Sequence, residues 1–170
     1  MSRLFSLGGL AGLAAVVLGA CSDSTGSGTA TLTAVSPAPA ASAVSPSTPI
    51  MLSFGQPMMA GMEQFMDLHQ GGIAGPTVPM SCTWNSDRSI LTCTPTTPLA
   101  GGTQYTIHMG AGMTDAHADL MTMDDWTTMG GQWATSGMMG GMHDGQPVGM
   151  MSTGWTDGTH YGMLFTFTTA

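Results

Sequence analysis

Apolar and polar residues alternate over several short runs of the chain, and proline or glycine separates one run from the next. Alternation with a period of two is typical of strands that bury one face. The runs that fit this pattern lie at residues 31–35, 50–54, 78–85, 89–94, 103–109 and 162–168. Half-buried strands at such intervals predict an all-β fold, an antiparallel sandwich of about seven strands.

The last two runs also predict which side chains face the core. Met109 shares one side of its strand with Tyr105 and Ile107, which leaves His108 on the outer side. Met163 falls in register with the two phenylalanines that follow it. We therefore expect both methionines to pack inward.

Several short motifs occur in a characteristic order along these strands. They are Val35-Ser36-Pro37, Phe54-Gly55-Gln56-Pro57-Met58, Thr83-Trp84-Asn85, Pro98-Leu99-Ala100-Gly101-Gly102-Thr103 and Phe165-Thr166-Phe167-Thr168. In order and spacing this set resembles the bacterial Ig-like domains of exported and surface-layer proteins. The resemblance implies an Ig-like antiparallel sandwich of seven strands. It implies no activity, because such domains serve as spacers, stalks and binding modules.

The chain departs from that family's pattern before its last strand. Family members reach this strand through a short loop that contains a Thr-Asp motif. Here Thr114-Asp115 is followed by about 45 further residues before Gly162. We refer to residues 113–161 as the insertion. An inserted loop of this length in a compact domain is usually either functional or disordered.

The N-terminus has the features of an export signal. Residues 1–20 combine a basic start at Arg3 with an apolar run too short to span a membrane as a mature helix. The sequence Leu18-Gly19-Ala20-Cys21 resembles the lipobox of bacterial lipoproteins, in which the cysteine carries the lipid. An ordinary secreted protein is the alternative.

This reading divides the chain into a signal peptide (1–20), a flexible tether rich in Ser, Gly and Thr (21–33) and one domain (34–170). Cys21 would attach the protein to a membrane through its lipid. We therefore predict an exported protein that is lipid-anchored at the bacterial cell envelope, on its periplasmic face or at the cell surface.

The two remaining cysteines lie on a predicted hairpin. A two-residue turn at residues 87–88 places Cys82 opposite Cys93. The same register places Trp84 opposite Leu91, on the same side of the sheet. A cysteine pair in an oxidising compartment predicts a disulfide. A thiolate metal pair is the alternative, although no CxxC spacing is present.

The charge of the chain is strongly negative. Ten acidic side chains stand against two basic ones, and the formal net charge is −8 at pH 7. This charge makes nucleic acid and anionic lipid head groups improbable partners and attracts cations. Solubility alone would also account for it.

Residues 57–69 predict a helix that begins at Pro57. Met58, Met62 and Met66 recur every four residues, and His69 follows three later. Helical spacing would align these four side chains in one stripe. The stripe is either a set of soft metal ligands or a methionine surface that packs on the sandwich.

The insertion contains nine of the 18 methionines and three of the five histidines. Eleven of the 18 methionines lie between Met109 and Met163. Thioether sulfur and imidazole nitrogen together form a ligand set that suits copper, above all Cu(I), with Ag(I) and Cu(II) as further candidates. The candidate ligands are Met121, Met123, Met138, Met139, Met142 and His143, followed by Met113, His117, Met150 and Met151.

Other interpretations of the insertion stay open. It would also serve as an adaptable surface for a protein partner in a structural or adhesion module, or as a store of oxidisable methionine. Three tryptophans, Trp126, Trp133 and Trp155, are expected to pack it onto the sheet. No nucleophile elbow, phosphate loop or His-Glu-x-x-His motif is present. We therefore predict a non-enzymatic, copper-binding lipoprotein that sequesters the metal or passes it to an envelope partner.

Overall fold

Two β-sheets face each other across an apolar core. The computed structural model describes residues 30–121, 130–133, 142–143, 146–147, 154–155 and 162–170. Within this part of the chain, nearly all regular structure is strand, which confirms the predicted all-β sandwich. A single 3₁₀ turn, η1 (Met62–Phe65), accompanies the strands there.

The first sheet has four strands in the order β1-β3-β6-β5, and every neighbouring pair is antiparallel. Its strands are β1 (Leu32–Ser36), β3 (Ile50–Phe54), β6 (Ile90–Pro95) and β5 (Met80–Trp84). All four had been predicted from the alternation of apolar and polar residues.

The second sheet has the order β2-β11-β7-β4, and a short strand, β8, also pairs with β11. Its strands are β2 (Ala41–Val44), β11 (Met163–Thr169), β7 (Gln104–Met109), β4 (Met66–Gln70) and β8 (Gln132–Trp133). Strands β2 and β11 run parallel. Strand β7 pairs antiparallel with both β11 and β4, and β8 pairs antiparallel with β11. The sequence pattern had predicted β7 and β11 but not β2 or β4. A separate two-stranded ribbon joins β9 (Met142–His143) to β10 (Gln146–Pro147).

Alternating side chains of the two sheets form the core. On β11 the burial alternates strictly, with Met163, Phe165 and Phe167 almost fully buried. Met109 is likewise buried without exposed surface. These positions confirm the inward orientation that was predicted for both methionines.

The hairpin of β5 and β6 has the predicted register. Cys82 pairs with Cys93 and Trp84 with Leu91, and the two cysteines form a disulfide. The loop is longer than the predicted two-residue turn: the amide of Asn85 donates to the carbonyl of Ile90 at 3.0 Å, and the amide of Arg88 donates to the carbonyl of Asn85 at 3.1 Å. The side chain of Asn85 then accepts hydrogen bonds from the amides of the two residues that follow Arg88.

The helix predicted at residues 57–69 was wrong. Only η1 is helical there, and strand β4 follows it directly. Met66 and Leu68 face the core, whereas Asp67 and His69 occupy the opposite face of the strand. Pairing of β4 with β7 along five residues outweighs the helical spacing of the methionines. Consequently Met66 and His69 point to opposite sides and form no common stripe.

The N-terminal predictions fall mainly on residues outside the described part of the chain. These are the signal peptide, Cys21 and residues 22–29 of the tether. The described chain begins at Ala30, which is fully buried, and β1 begins at Leu32, so packing already starts within the segment assigned to the tether. Across the described residues, no helix has the length and apolar character needed to cross a bilayer.

Candidate metal centre

Three metal-ligating side chains meet on the outer face of the second sheet. Asp67 and His69 are two residues apart on β4, so both point away from the core. In the antiparallel register Asp67 lies opposite His108 of β7, and His69 lies opposite Thr106. One potential ligand atom from each of Asp67, His69 and His108 lies within 4.8 Å of the other two.

All three ligand residues are buried although they lie on an outer face. Asp67 is 9% exposed, His69 2% and His108 4%. His108 had been expected on the outer side, and it lies there, but it is covered rather than solvated. Burial of three polar side chains in one place is costly unless they have partners, which makes this cluster the most unusual polar feature of the described fold.

The hydrogen bond of His69 fixes which nitrogen is available. Its Nδ1 lies 3.0 Å from the carbonyl oxygen of Gly75. A carbonyl can only accept, so Nδ1 must carry the proton and donate. The Nε2 of neutral His69 therefore has a free lone pair. That atom is buried and has no hydrogen-bond partner in the described residues. A histidine whose one nitrogen donates to a carbonyl while the other is left open is the usual arrangement of a metal ligand.

Trp155 of the insertion covers His108. The two rings stack with centroids 4.8 Å apart and an interplanar angle of 28°. The indole also meets the ring of Phe65 edge-on, with centroids 5.7 Å apart. The prediction that Trp155 packs the insertion onto the sheet is thus confirmed. The side chains of Trp126 and Trp133 lie outside the described part of the structure.

Two glycines permit this close cover. A Cβ at Gly162 would collide with the imidazole of His108, and a Cβ at Gly154 would collide with the ring of Phe65. Gly154 also has a φ of +94°, which favours glycine. A cavity of about 190 Å³ lies beside the cluster on the same face, bordered in part by Thr106, Leu164 and Thr166.

The donor set defines which ions would fit. Two imidazole nitrogens and one carboxylate oxygen suit Zn(II) and Cu(II) better than Cu(I), which prefers sulfur. Ligands of one ion at about 2 Å lie within about 4 Å of one another, so a small side-chain shift would complete the site.

Comparison with known proteins identifies the fold family. The profile of the bacterial Ig-like domain matches residues 27–128, which is more than half of the chain. This chain belongs to the bacterial Ig-like domain family. Both the fold and the family resemblance noted in its motifs are thereby confirmed. No curated protein matches the chain.

The solved structures that are similar to this Ig-like domain include a copper resistance protein, a surface-layer protein and an enzyme. PcoC, a methionine-rich copper resistance protein from Escherichia coli, is 13% identical, with a TM-score of 0.46 over 84% of this chain and 100% of PcoC. The S-layer protein rSbsC(31-844) is 18% identical, with a TM-score of 0.41 over 55% of this chain and 12% of that protein.

L,D-transpeptidase 1 of Mycobacterium tuberculosis is 17% identical, with a TM-score of 0.36 over 45% of this chain and 34% of the enzyme. The Ig-like domain therefore spans only a small part of two of these three proteins. With identities below 20% and TM-scores below 0.5, these similarities carry no conclusion about what this chain does.

The ligands predicted in the insertion differ in burial, and several of them lie outside the described residues. Met113 and Met121 are buried in the hydrophobic core of the Ig-like domain, with 0% and 4% exposure. The side chain of His117 is 64% exposed, and its Nδ1 lies 3.6 Å from a carboxylate oxygen of Asp115. Met142 and His143 form β9, but their side chains lie outside the described part. Met123, Met138, Met139, Met150 and Met151 also fall outside the described residues.

Sequence reasoning missed the cluster on the sheet for an identifiable reason. His69 was noted, but on a helix, and Asp67 was not considered. The signal that would have found the site is the alternation of Asp67 and His69 about Leu68, matched by that of Thr106 and His108 about Ile107. Two such strands can place their polar side chains on one shared face.

Proposed function

We propose that this Ig-like domain binds copper at the bacterial cell envelope, for sequestration or transfer, and does so as a non-enzymatic lipid-anchored protein. The observation that carries the proposal is the buried group of Asp67, His69 and His108, whose ligand atoms lie within 4.8 Å of one another. The available Nε2 of His69 supports the same conclusion. The acidic charge of the chain favours cations in general.

Copper is preferred over other metals because of the combination of donors in the chain. The centre on the sheet offers nitrogen and oxygen, which suit Cu(II). The insertion offers thioether sulfur, which suits Cu(I). An envelope protein with both donor types would hold copper in either oxidation state, whereas a zinc protein would have no need for the methionines.

The ligands proposed for Cu(I) in the insertion are those indicated by its composition. They are Met121, Met123, Met138, Met139, Met142 and His143, with Met113, His117, Met150 and Met151 in second place. For Met113 and Met121, metal binding would require the side chain to leave its present core position. Binding by the remaining members requires their sulfur and nitrogen atoms to converge on one ion.

The experiment that tests the centre on the sheet is a Cu(II) titration of the purified mature protein by calorimetry against a competing chelator. We expect one equivalent to bind with a dissociation constant below micromolar, and H69Q or H108Q to abolish that equivalent. H160Q is the matched control, because it removes a histidine that is not among the proposed ligands, and it should bind Cu(II) like the wild type. Equal Cu(II) binding by H69Q, H108Q and the wild type would refute the proposed centre.

Membership of the Ig-like family alone would favour a different role, that of an adhesion or spacer module. This role predicts that deleting the gene leaves growth in copper salts unchanged, whereas copper sequestration predicts greater sensitivity. Complementation with the H69Q/H108Q variant separates the two, because it retains the domain and lacks the proposed ligands.

A further inference from the structure

A second group of potential metal ligands lies away from the Asp67 centre, where the loop before η1 meets the start of the insertion. Met59 comes from this loop, Met62 is the first residue of η1, and Thr114 comes from the insertion. The amide of Met59 donates to the carbonyl of Thr114 at 3.1 Å. The amide of Ala116 donates to the carbonyl of Pro57 at 2.9 Å, so the two segments are tied together on both sides of this contact.

Two thioether sulfurs converge on Thr114. The hydroxyl oxygen of Thr114 lies 3.7 Å from the sulfur of Met59 and 3.8 Å from that of Met62. The amide of Thr114 also donates to the Met62 sulfur at 3.3 Å. A hydroxyl has one proton and can donate to only one sulfur at a time. When it donates to Met62, the lone pairs of the Met59 sulfur are left available on the same side.

The turn between the two methionines makes this convergence possible. Gly61 has a φ of +89°, a left-handed conformation that bends the chain between Met59 and Met62. In an extended segment, side chains three residues apart would point to opposite faces. The bend brings both sulfurs to the same neighbour.

Burial and charge around the pair suit a small cation. Met62 is 8% exposed and Met59 is half-buried, so the pair is accessible from the side of Met59. Asp115, next to Thr114, is fully buried, and its Oδ2 has no hydrogen-bond partner in the described residues. Two basic side chains lie close by: the Nε of Arg88 donates to the carbonyl of Met58 at 2.8 Å, and Nδ1 of His117 lies 3.6 Å from Oδ2 of Asp115.

We infer that Met59 and Met62 form a binding site for a soft monovalent cation, Cu(I) or Ag(I), between the η1 loop and Thr114. Neutral thioethers select soft ions and need lose no proton to bind them. The cation would occupy the space between the sulfurs, and the Thr114 hydroxyl would turn its oxygen toward it. This site uses none of the ligands of the Asp67 centre, so either site can fail without the other.

The test is a titration of the mature protein with Ag(I), which does not change oxidation state, followed by NMR of methionines labelled with ¹³C at the methyl group. The M59L and M62L variants assign the two signals and preserve side-chain volume, so the fold should be kept. We expect both methyl resonances to move together before one equivalent of Ag(I) is added. In M59L, the Ag(I) concentration needed to shift the Met62 signal should rise at least about tenfold, because one of two ligands is lost.

Met51 provides the matched control, because it lies on β3 in the first sheet and is 38% exposed. Its resonance should stay in place over the same range, and M51L should bind Ag(I) like the wild type. The H69Q/H108Q variant should respond to Ag(I) like the wild type, which separates this site from the proposed Cu(II) centre. The inference is overturned if Met59 and Met62 move no more than Met51 while other methionines take up silver, or if M59L leaves the Met62 titration unchanged.

Discussion

The outer faces of the two sheets differ in the solvent exposure of their polar side chains. On the first sheet Ser81, Thr83 and Thr94 point outward and are exposed to solvent. On the second sheet Asp67, His69, Thr106 and His108 also point outward, but all are at most 9% exposed. The first arrangement is that of an ordinary sandwich with one wet face on each sheet. On the second sheet, the outer face is covered, and the polar side chains beneath the cover are buried.

The difference is informative because a covered polar face is energetically unfavourable. Burying an imidazole or carboxylate without full hydrogen bonding costs free energy, and apolar residues of similar size would pack there at no such cost. The inner faces of both sheets consist mainly of such buried apolar residues. The buried Nε2 of His69, which has no hydrogen-bond partner in the described residues, would be satisfied by a metal ion at the proposed centre.

The largest effect on the covered face should come from Gly154→Ala. The added Cβ would collide with the ring of Phe65, and the residue would be held at a φ of +94°. We expect the free energy of unfolding, measured with urea, to fall by about 3 kcal/mol. Gly72→Ala is the control, because a Cβ there meets no atom within 4 Å, and it should change stability by less than about 0.5 kcal/mol. Equal stability of the two variants would mean that the cover contributes nothing to the fold.

His69→Leu should separate the stability of the covered face from its ability to bind metal. Without metal, we expect a change of no more than about 1 kcal/mol, because a buried polar group is replaced by an apolar one. With Cu(II) at a hundredfold excess over the dissociation constant, the wild type should gain about 2.7 kcal/mol and the variant nothing. Thermal unfolding with and without Cu(II) measures both. A variant that is still stabilised by Cu(II) would locate the metal elsewhere.

Trp155→Ala should change the rate of metal exchange. The indole stacks on His108, so it covers one side of the proposed centre and should slow the exit of a bound metal. We expect a chelator to extract Cu(II) about tenfold faster from this variant, whereas Trp155→Phe should stay close to the wild type because an aromatic ring still covers the imidazole. Stopped-flow extraction measures these rates. If all three proteins release metal equally fast, Trp155 has no part in retention.

The sequence was sufficient for the framework because the framework depends on local patterns. The register of Cys82 with Cys93 follows from the hairpin spacing, and the burial of Met163 and Phe165 follows from simple alternation. These features need only the period of two and a turn. The Ig-like family followed from motifs that lie at the turns and strand ends.

The candidate centre was not predictable in the same way because it depends on long-range pairing. Asp67 and His108 are opposite one another only because β4 pairs with β7, and the methionine spacing at 58, 62 and 66 indicated a helix instead. Nothing local to His108 indicates that Trp155, far along the chain, would cover it. Tertiary pairing overrode local spacing.

The smallest effect we predict compares equivalent threonines on the two outer faces. Thr106 lies on the covered face, and its hydroxyl donates to the carbonyl of Gly71, whereas Thr83 lies on the exposed face. Thr106→Val should reduce the free energy of unfolding by about 1 kcal/mol, because the carbonyl loses its donor away from water. Thr83→Val should remain within about 0.5 kcal/mol of the wild type, since solvent replaces any lost hydrogen bond and valine suits a strand. Urea unfolding of the metal-free variants measures the difference. If the two substitutions cost the same, the cover over the second sheet does not exclude water, and the burial of its histidines does not support the proposed metal centre.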